Sequence, residues 1–481
     1  MVDLASTLAG HASATALVDG EQHITYAELN ELVLRTAAGL RSRGLTSGAR
    51  VAVAADASVD GVVAYLGVQA AGLVPAMVSP RAPSAEIERC FEHVDPAMFL
   101  VGTDREVDLP PGIVPLRPAG SADTDLERAD GEPVGVVPCR GDDAAVVLYT
   151  SGVAGHPRPV VLTHRNLSAT CDGLIDAPGS GLGSATVALC ALPISHVYGL
   201  NSVLGTVLRA GGAVVLSADT DAALIGELVA RHRVTALPAV AAMWKSIAAV
   251  CEPSLLETVV RPTFSAAPMP PSVLTTVREA LGLTLVGGFG MTETAGTICF
   301  DDPTDPTPGS LGRPVGGNEL RIVDGEGHDV PPGDYGELLV RGPSLTRQYL
   351  DGTDVDIDDQ GWFRTGDLAA FDDAGRMTIV DRSKDVINIA GFNVSPAEVE
   401  TVLAEHPAVA GSVVVRDIDD DREVIVAHVA LIADGAATTD QLIEHCRHEL
   451  SRYKVPTRIV VHDELPLTEA GKAVRRLLAA S

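Results

Sequence analysis

The sequence predicts an α/β fold spread over more than one domain. Three observations carry that expectation. The chain has 481 residues, too many for one ordinary hydrophobic core. Strand, helix and strand alternate repeatedly from about residue 50 to 296, which signals parallel sheets covered by helices. From about 310 to 365 the texture changes to short strands between turns, and after Lys384 it becomes mixed α/β.

The elements follow in order. ITYAEL at 24–29 opens a helix that Thr25 can cap, with Leu29, Leu32, Leu34 and Leu40 roughly on one face. RVAVAA at 50–55, a small-residue helix over 60–72 and LVPAMVSP at 73–80 give strand, helix, strand. Residues 101–141 are rich in Pro, Gly and Asp and read as a surface connection. DDAAVVLYTSGVAGHPRPVVLTHRNL at 142–167 reads as a buried strand, a loop of small residues, a basic residue and a capped helix. Such a loop can wrap oligophosphate with its backbone N–H groups, and it can equally be an ordinary tight turn. A second sheet follows from ATVALCALPISHVYGL (185–200), GGAVVLSAD (211–219), VTALPAV (234–240), TFSAAPMP (263–270) and LVGGFGMTETAG (285–296). ELRIVD, GELLVRG and QYLDG suggest a small β-barrel-like subdomain. Beyond it, PAEVETVLAEH is an amphipathic helix, GSVVVRD and REVIVAHVALI a strand pair, and 439–451 a helix.

Composition narrows the function. A formal charge of −29 excludes nucleic acid and anionic membrane surfaces as partners, because phosphate would be repelled. An acidic metabolite must then be met by local cations, and the lysines number only four: Lys245, Lys384, Lys454 and Lys472. The seven cysteines are scattered without a CxxC, which suits a reducing cytoplasm and buried thiols rather than metal ligands. No basic leader with an apolar run follows the first Met, and no apolar stretch reaches about 18 residues, so no membrane insertion is expected.

The richest stretch is RTGDLAAFDDAGRMTIVDRSKDVINIAGFNVSPAEVE at 364–400. Asp367 and Arg382 bracket one strand. A carboxylate accepts both hydroxyls of a ribose while a guanidinium grips anionic oxygen, although the same pair alone is equally a solvated ion pair. In company with YTSGVAGHPRPVVLTH, LPISHVYGL, SAAPMP, GGFGMTET, GWFRTGDL and LPLTEAGK, in that order, the chain resembles the adenylate-forming superfamily. That superfamily comprises acyl-CoA synthetases, coumarate-type CoA ligases, luciferases and adenylation domains.

The resemblance implies a large N-terminal domain of two helix-flanked sheets plus the barrel-like subdomain (1–382) and a smaller mobile α+β domain (383–481), with the hinge at Lys384. It implies a carboxylic acid as substrate, an acyl-adenylate as intermediate and CoA as acceptor. Ala266, Ala267 and Pro268 would run along the adenine, and Phe289, between Gly288 and Gly290, would stack on it. Thr292 would meet the α-phosphate, Glu293 a Mg²⁺ if adenylation is retained, Asp367 the ribose and Arg382 the ribose and phosphate side. Lys472 would bring positive charge to the reacting carboxylate. Gly391 would line the pantetheine path, where Asn388 stands in place of a frequent lysine. His196 would be the aromatic gate. Tyr198, Gly287, Met291, Ala295 and Gly296 would line a pocket whose small residues suggest a bulky, mostly apolar acyl group, while the same glycines can simply permit close packing. LPISHVYGL lacks the Asp that pairs a substrate ammonium, so an α-amino acid is not expected.

One departure stands out. Thr150, Ser151 and Gly152 begin the phosphate loop as the family does, but Val153, Ala154, Gly155, His156, Pro157, Arg158 and Pro159 follow where the family has TTGxPKG. Two hydroxyls are lost, and Pro159 lacks an N–H. Two charged hydrogen bonds would be worth roughly 3–6 kcal/mol if both act in the transition state. Whether ATP is used therefore stays open at this level. One alternative is an ordinary ATP-dependent ligase. Others are thiolation of a preformed acyl-AMP delivered by a partner adenylating enzyme, loading of a carrier protein, and an acyl-adenylate-binding protein without catalysis.

Overall fold

The computed structural model describes residues 11–121, 126, 135–150, 158–266, 269–352, 355–382, 387–389, 392–394, 396–419, 422–433, 436–450, 452–466 and 475–478. A hairpin of β1 (Thr15–Asp19) and β2 (Gln22–Thr25) leads into α1 (Tyr26–Arg41). The Thr25 hydroxyl accepts the Glu28 N–H while the Glu28 carboxylate accepts the Thr25 N–H, so two otherwise orphaned donors are satisfied reciprocally. The buried row of α1 is Leu29, Val33, Ala37 and Leu40, whereas Leu32 and Leu34 are only half-buried. Spacings of three and four follow the helical period; two residues apart crosses it.

The first parallel sheet is built by crossovers: β3 (Arg50–Ala55), α2 (Val59–Ala70), β4 (Val74–Val78), α3 (Ser84–Val94) and β5 (Met98–Gly102), then β6 (Ala144–Thr150) and β7 (Arg158–Thr163). Its order is β5-β3-β4-β6-β7, parallel except for the antiparallel β6–β7 pair. The strand β7 is absent from the sequence reading, which expects the helix straight after the loop; α4 (His164–Ile175) follows β7 instead, capped by Thr163. Helix α2 is apolar nearly all round and correspondingly buried along its length.

The second sheet comprises β8 (Val187–Cys190), β9 (Ala213–Leu216), β10 (Ala236–Ala239), β11 (Arg261–Phe264), β12 (Val286–Met291), β13 (Gly296–Phe300) and β14 (Arg313–Pro314). It is linked by a π-helical segment Tyr198–Gly205 running into α5 (Thr206–Arg209), then by α6 (Ala222–His232), α7 (Ala241–Val250) and α8 (Pro271–Leu281). With β1 and β2 added, the order of this nine-stranded sheet is β14-β13-β12-β11-β10-β8-β9-β1-β2. β1 lies parallel to β9, Leu17 opposite Val214.

The expected barrel-like subdomain takes the form of a four-stranded antiparallel sheet in sequential order: β15 (Glu319–Val323), β16 (Gly336–Arg341), β17 (Phe363–Phe371) and β18 (Met377–Arg382). Its Ile322, Leu338, Val340, Ala369 and Met377 share a core with Ile298 and Cys299 of β13.

After Arg382 comes a smaller lobe with a separate core. It contains a hairpin of β19 (Ile387–Ile389) and β20 (Phe392–Val394), α9 (Pro396–Glu405), β21 (Val409–Asp419), β22 (Arg422–Leu431), α10 (Thr439–Glu449) and β23 (Arg458–His462). Both helices contribute to that core on one side of the β21-β22-β23 sheet, while Leu465 and Leu478 pack on Val413, Val415 and Val426. Edge strand β21 is capped by side chains: Glu400 accepts the Val414 N–H at 2.7 Å, and Arg475 donates to the Val414 carbonyl and to Glu400. The lobes meet where α9 packs on α8 and β18, and the Lys245 ammonium donates to the Ala410 carbonyl at 2.7 Å. The expected hinge Lys384 lies outside the described residues. No helix among them is long and apolar enough to cross a membrane. All seven cysteines are unpaired; six are buried as expected, and Cys139 is half-buried.

Candidate active site

The site forms where the second sheet ends against the four-stranded one. Trp244 of α7 is fully buried and its indole N–H donates to the Thr263 carbonyl at 3.0 Å, fixing the end of β11. Two residues past β11, Ala266 takes φ +70°, a left-handed conformation that costs a non-glycine residue about 1–3 kcal/mol and clusters at functional positions. Ala267 and Pro268 lie outside the described residues. Ala295, at φ +55°, is the second such alanine and closes the short turn Thr292–Thr294 that joins β12 to β13. The Thr294 hydroxyl braces that turn through the Met291 N–H and the Gly296 carbonyl. Phe289, Met291, Thr292 and Glu293 are half-buried along this hairpin, whereas Ala295 and Gly296 are buried beneath it.

The glycines divide by environment. A methyl on Gly287 would meet the Ser310 carbonyl oxygen at 2.0 Å, and one on Gly290 the Gly296 carbonyl oxygen at 1.9 Å, so both are required by backbone packing. Gly288 instead borders a cavity.

That cavity, about 70 Å³, is lined by Tyr198, Ser202 and Val203 of the π-helical segment, and by Thr263, Gly288 and Phe300 among others. Its lining is mostly apolar. The Tyr198 hydroxyl is buried beside the Thr263 side chain, and burial holds its pKa above the ordinary phenol range. Ser202 accepts from the Thr297 N–H at 3.0 Å. Arg261 stands at the margin with its guanidinium bonded to the Ser180 and Gly181 carbonyls, and burial lowers its pKa. His196, half-buried in the turn before the π-helical segment, is not among the lining residues; its carbonyl accepts the Leu200 N–H.

The phosphate side is assembled from distant chain segments. Thr150 ends β6 directly opposite Arg158 at the start of β7. Residues 343–350 are stitched across them: Asn166 donates to the Pro343 and Leu345 carbonyls, the Thr346 N–H reaches the Glu293 carbonyl at 2.7 Å, and the Leu350 N–H reaches the Pro159 carbonyl at 2.9 Å. Tyr349 is thereby held against both charged groups. Its hydroxyl donates to Glu293 Oε1 at 3.2 Å, and the Arg158 guanidinium lies 3.7 Å over its ring. Arg158 also pairs with Asp351 at 3.7 Å. Tyr349 is a functional candidate that the sequence reading missed, since QYLDG registers there only as strand and turn.

Asp367 is buried on β17, with its N–H on the Thr365 hydroxyl, and the strand register places Arg382 directly across from it. The two residues that bracket a strand in sequence are therefore backbone neighbours. Ser151, Gly152, Lys384, Gly391 and Lys472 lie outside the described residues.

The comparisons with known proteins point to one family. The family model for AMP-binding enzymes matches residues 4–350, and that for their C-terminal domain matches 398–472. The chain is 32% identical over 500 residues to 4-coumarate–CoA ligase 5 of Oryza sativa subsp. japonica, covering 98% of this chain and 92% of that one. It is 32% identical over 476 residues to a feruloyl-CoA synthase of Amycolatopsis sp, covering 96% and 94%. Among solved structures it matches the o-succinylbenzoate CoA synthetase of Bacillus subtilis in complex with its acyl-adenylate intermediate, with TM-score 0.87, 27% identity, and 99% and 98% of the two chains covered. It also matches ATP-bound MatB of Rhodopseudomonas palustris, with TM-score 0.88, 26% identity, and 97% and 95% covered.

Proposed function

The chain belongs to the AMP-binding, adenylate-forming family of acid–thiol ligases, and on that premise we propose that it joins a compact aryl or apolar acid to coenzyme A through an acyl-adenylate. The observation that carries the substrate class is the cavity beside Gly288: small, mostly apolar, with the buried Tyr198 hydroxyl beside the Thr263 side chain as a polar group for one oxygen of a phenolic or similar acid. The relatives named for coumarate and ferulate act on acids of that kind. Ala266, Phe289 and Asp367 would hold the adenosine, Thr292 the α-phosphate and Lys472 the reacting carboxylate. Glu293 suits a magnesium ion, because its Oε2 has no protein hydrogen bond among the described residues and hard oxygen is what that ion selects. Magnesium bound there would neutralise phosphate charge. Pivoting about Lys384 would then bring Gly391 to the pantetheine path for thiol attack.

The altered phosphate loop favours a slow first half-reaction within this scheme. Pro159 stands in β7, where it accepts but cannot donate, and Val153 and Ala154 replace two hydroxyls. The expected outcome is thioester formation from synthetic coumaroyl- or benzoyl-AMP plus CoA at least about 10²-fold faster than from the acid, ATP and magnesium. Both arms are followed by thioester absorbance, with carrier-bound pantetheine offered in parallel. Vigorous AMP release from acid and ATP would remove the slow-activation reading. Preference for the carrier thiol would replace CoA as acceptor, and no thioester in any arm would leave a binding protein only.

A further inference from the structure

Tyr349 touches both charged groups that would face a nucleotide triphosphate, and no role is assigned to it by the family resemblance. It is nearly fully buried, at 4% exposure, and its backbone bridges Val160 of β7, so its position is fixed by the sheet rather than by its own rotamer freedom. Its hydroxyl donates to Glu293 Oε1 at 3.2 Å. That bond occupies Oε1, and no described residue bonds Glu293 Oε2. On its other side the ring face carries the Arg158 guanidinium, with Asp351 as second partner. A loop lacking two hydroxyls relies more heavily on its remaining side-chain cation, and a cation is only useful where it is held.

We infer that Tyr349 is a positioning residue that sets Glu293 and Arg158 jointly for a magnesium-bound triphosphate. The inference rests on the adenylate-forming reading, and two substitutions separate its halves. Tyr349→Phe removes the bond to Glu293 and keeps the ring under Arg158; Tyr349→Leu removes both.

Calorimetric binding of a non-hydrolysable ATP analogue, with and without magnesium, reads the effect without turnover. In Tyr349→Phe the magnesium-dependent gain in affinity should fall about 3- to 10-fold while metal-free binding changes little. In Tyr349→Leu metal-free binding should weaken as well, by about 2- to 5-fold. Unchanged magnesium dependence in Tyr349→Phe overturns the inference, as does a wild-type protein whose analogue affinity ignores magnesium. A fall of equal size in thioester formation from acyl-AMP would mark a general structural lesion and also overturn it. Absence of thioester from wild-type protein and acyl-AMP defeats the ligase reading instead, while the binding arms still decide Tyr349.

Discussion

Gly290 illustrates how tightly the site's backbone is drawn. Its neighbour across the hairpin is the Gly296 carbonyl, and a methyl at Gly290 would intrude to 1.9 Å, backbone against backbone, where nothing flexible can give way. Gly290→Ala should therefore cost about 1–3 kcal/mol and misplace Thr292 and Glu293. A lowered urea midpoint with loss of nucleotide affinity would report it; a midpoint equal to wild type would contradict the close approach. In sequence, GGFGM offers no way to rank its glycines, since packing and pocket readings both ask for a missing Cβ. Only the approach of Ser310 and Gly296 separates Gly287 and Gly290 from Gly288. Asp367 and Arg382 were legible for the opposite reason: a short hairpin turn between two alternating strands fixes their register. Tyr349 was not legible, because its partners Arg158 and Glu293 come from segments far away in the chain.

Elements were readable where local signals agree. The α1 and α10 helices carry capping boxes at Thr25 and Thr438 ahead of amphipathic runs, and both were expected. β7 was not, because Pro159 at its second position argues against a strand; the structure tolerates it since β7 ends the sheet's strand order and is met on its outer side only by an isolated bridge and single hydrogen bonds from residues 348–350. β23 was missed as a five-residue run whose pairing with β22 spans an intervening helix. That strand brings His462 Nε2 within 2.7 Å of His428 Nδ1, a contact that needs one ring to donate and the other to accept.

The His428 ring is buried and lies against the backbone carbonyl of Leu478 in the tail. Burial first, then His462 and Arg458, lower the His428 pKa against the opposing pull of Asp417 and the Leu478 carbonyl. The unfolded chain, titrating near about 6.5, then binds the proton more readily than the folded one. Stability of the small lobe should fall as pH drops through that value and level off below the folded pKa. Unfolding midpoints between pH 7.5 and 5.5 should show this slope in wild type and a flatter one in His428→Leu; parallel slopes would remove the pair from the account.

For the whole molecule, the join between lobes among the described residues is slight: α9 resting on α8 and β18, with Lys245 bonded to Ala410. A two-step reaction by a pivoting lobe requires such a join to be easily broken. Lys245→Ala should thus shift the ratio of pyrophosphate exchange to thiolation by about 2- to 5-fold without lowering the unfolding midpoint. Stopped-flow measurement of each step would reveal an unmoved ratio if the contact is idle. The overall architecture was legible from strand and helix alternation, whereas this join was not, because Lys245 is an ordinary exposed lysine on α7 until the fold brings Ala410 beside it.

The pairing of β1 with β9 has a consequence for how the chain comes into being. Leu17 leaves the ribosome well before Val214, an interval of roughly 10–40 s at ordinary synthesis rates. Throughout it, Ala16, Leu17 and Val18, all buried in the finished protein, have no mate on one flank. The nascent hairpin must be shielded until its berth is translated, so exposure to chaperones is written into the order of the strands.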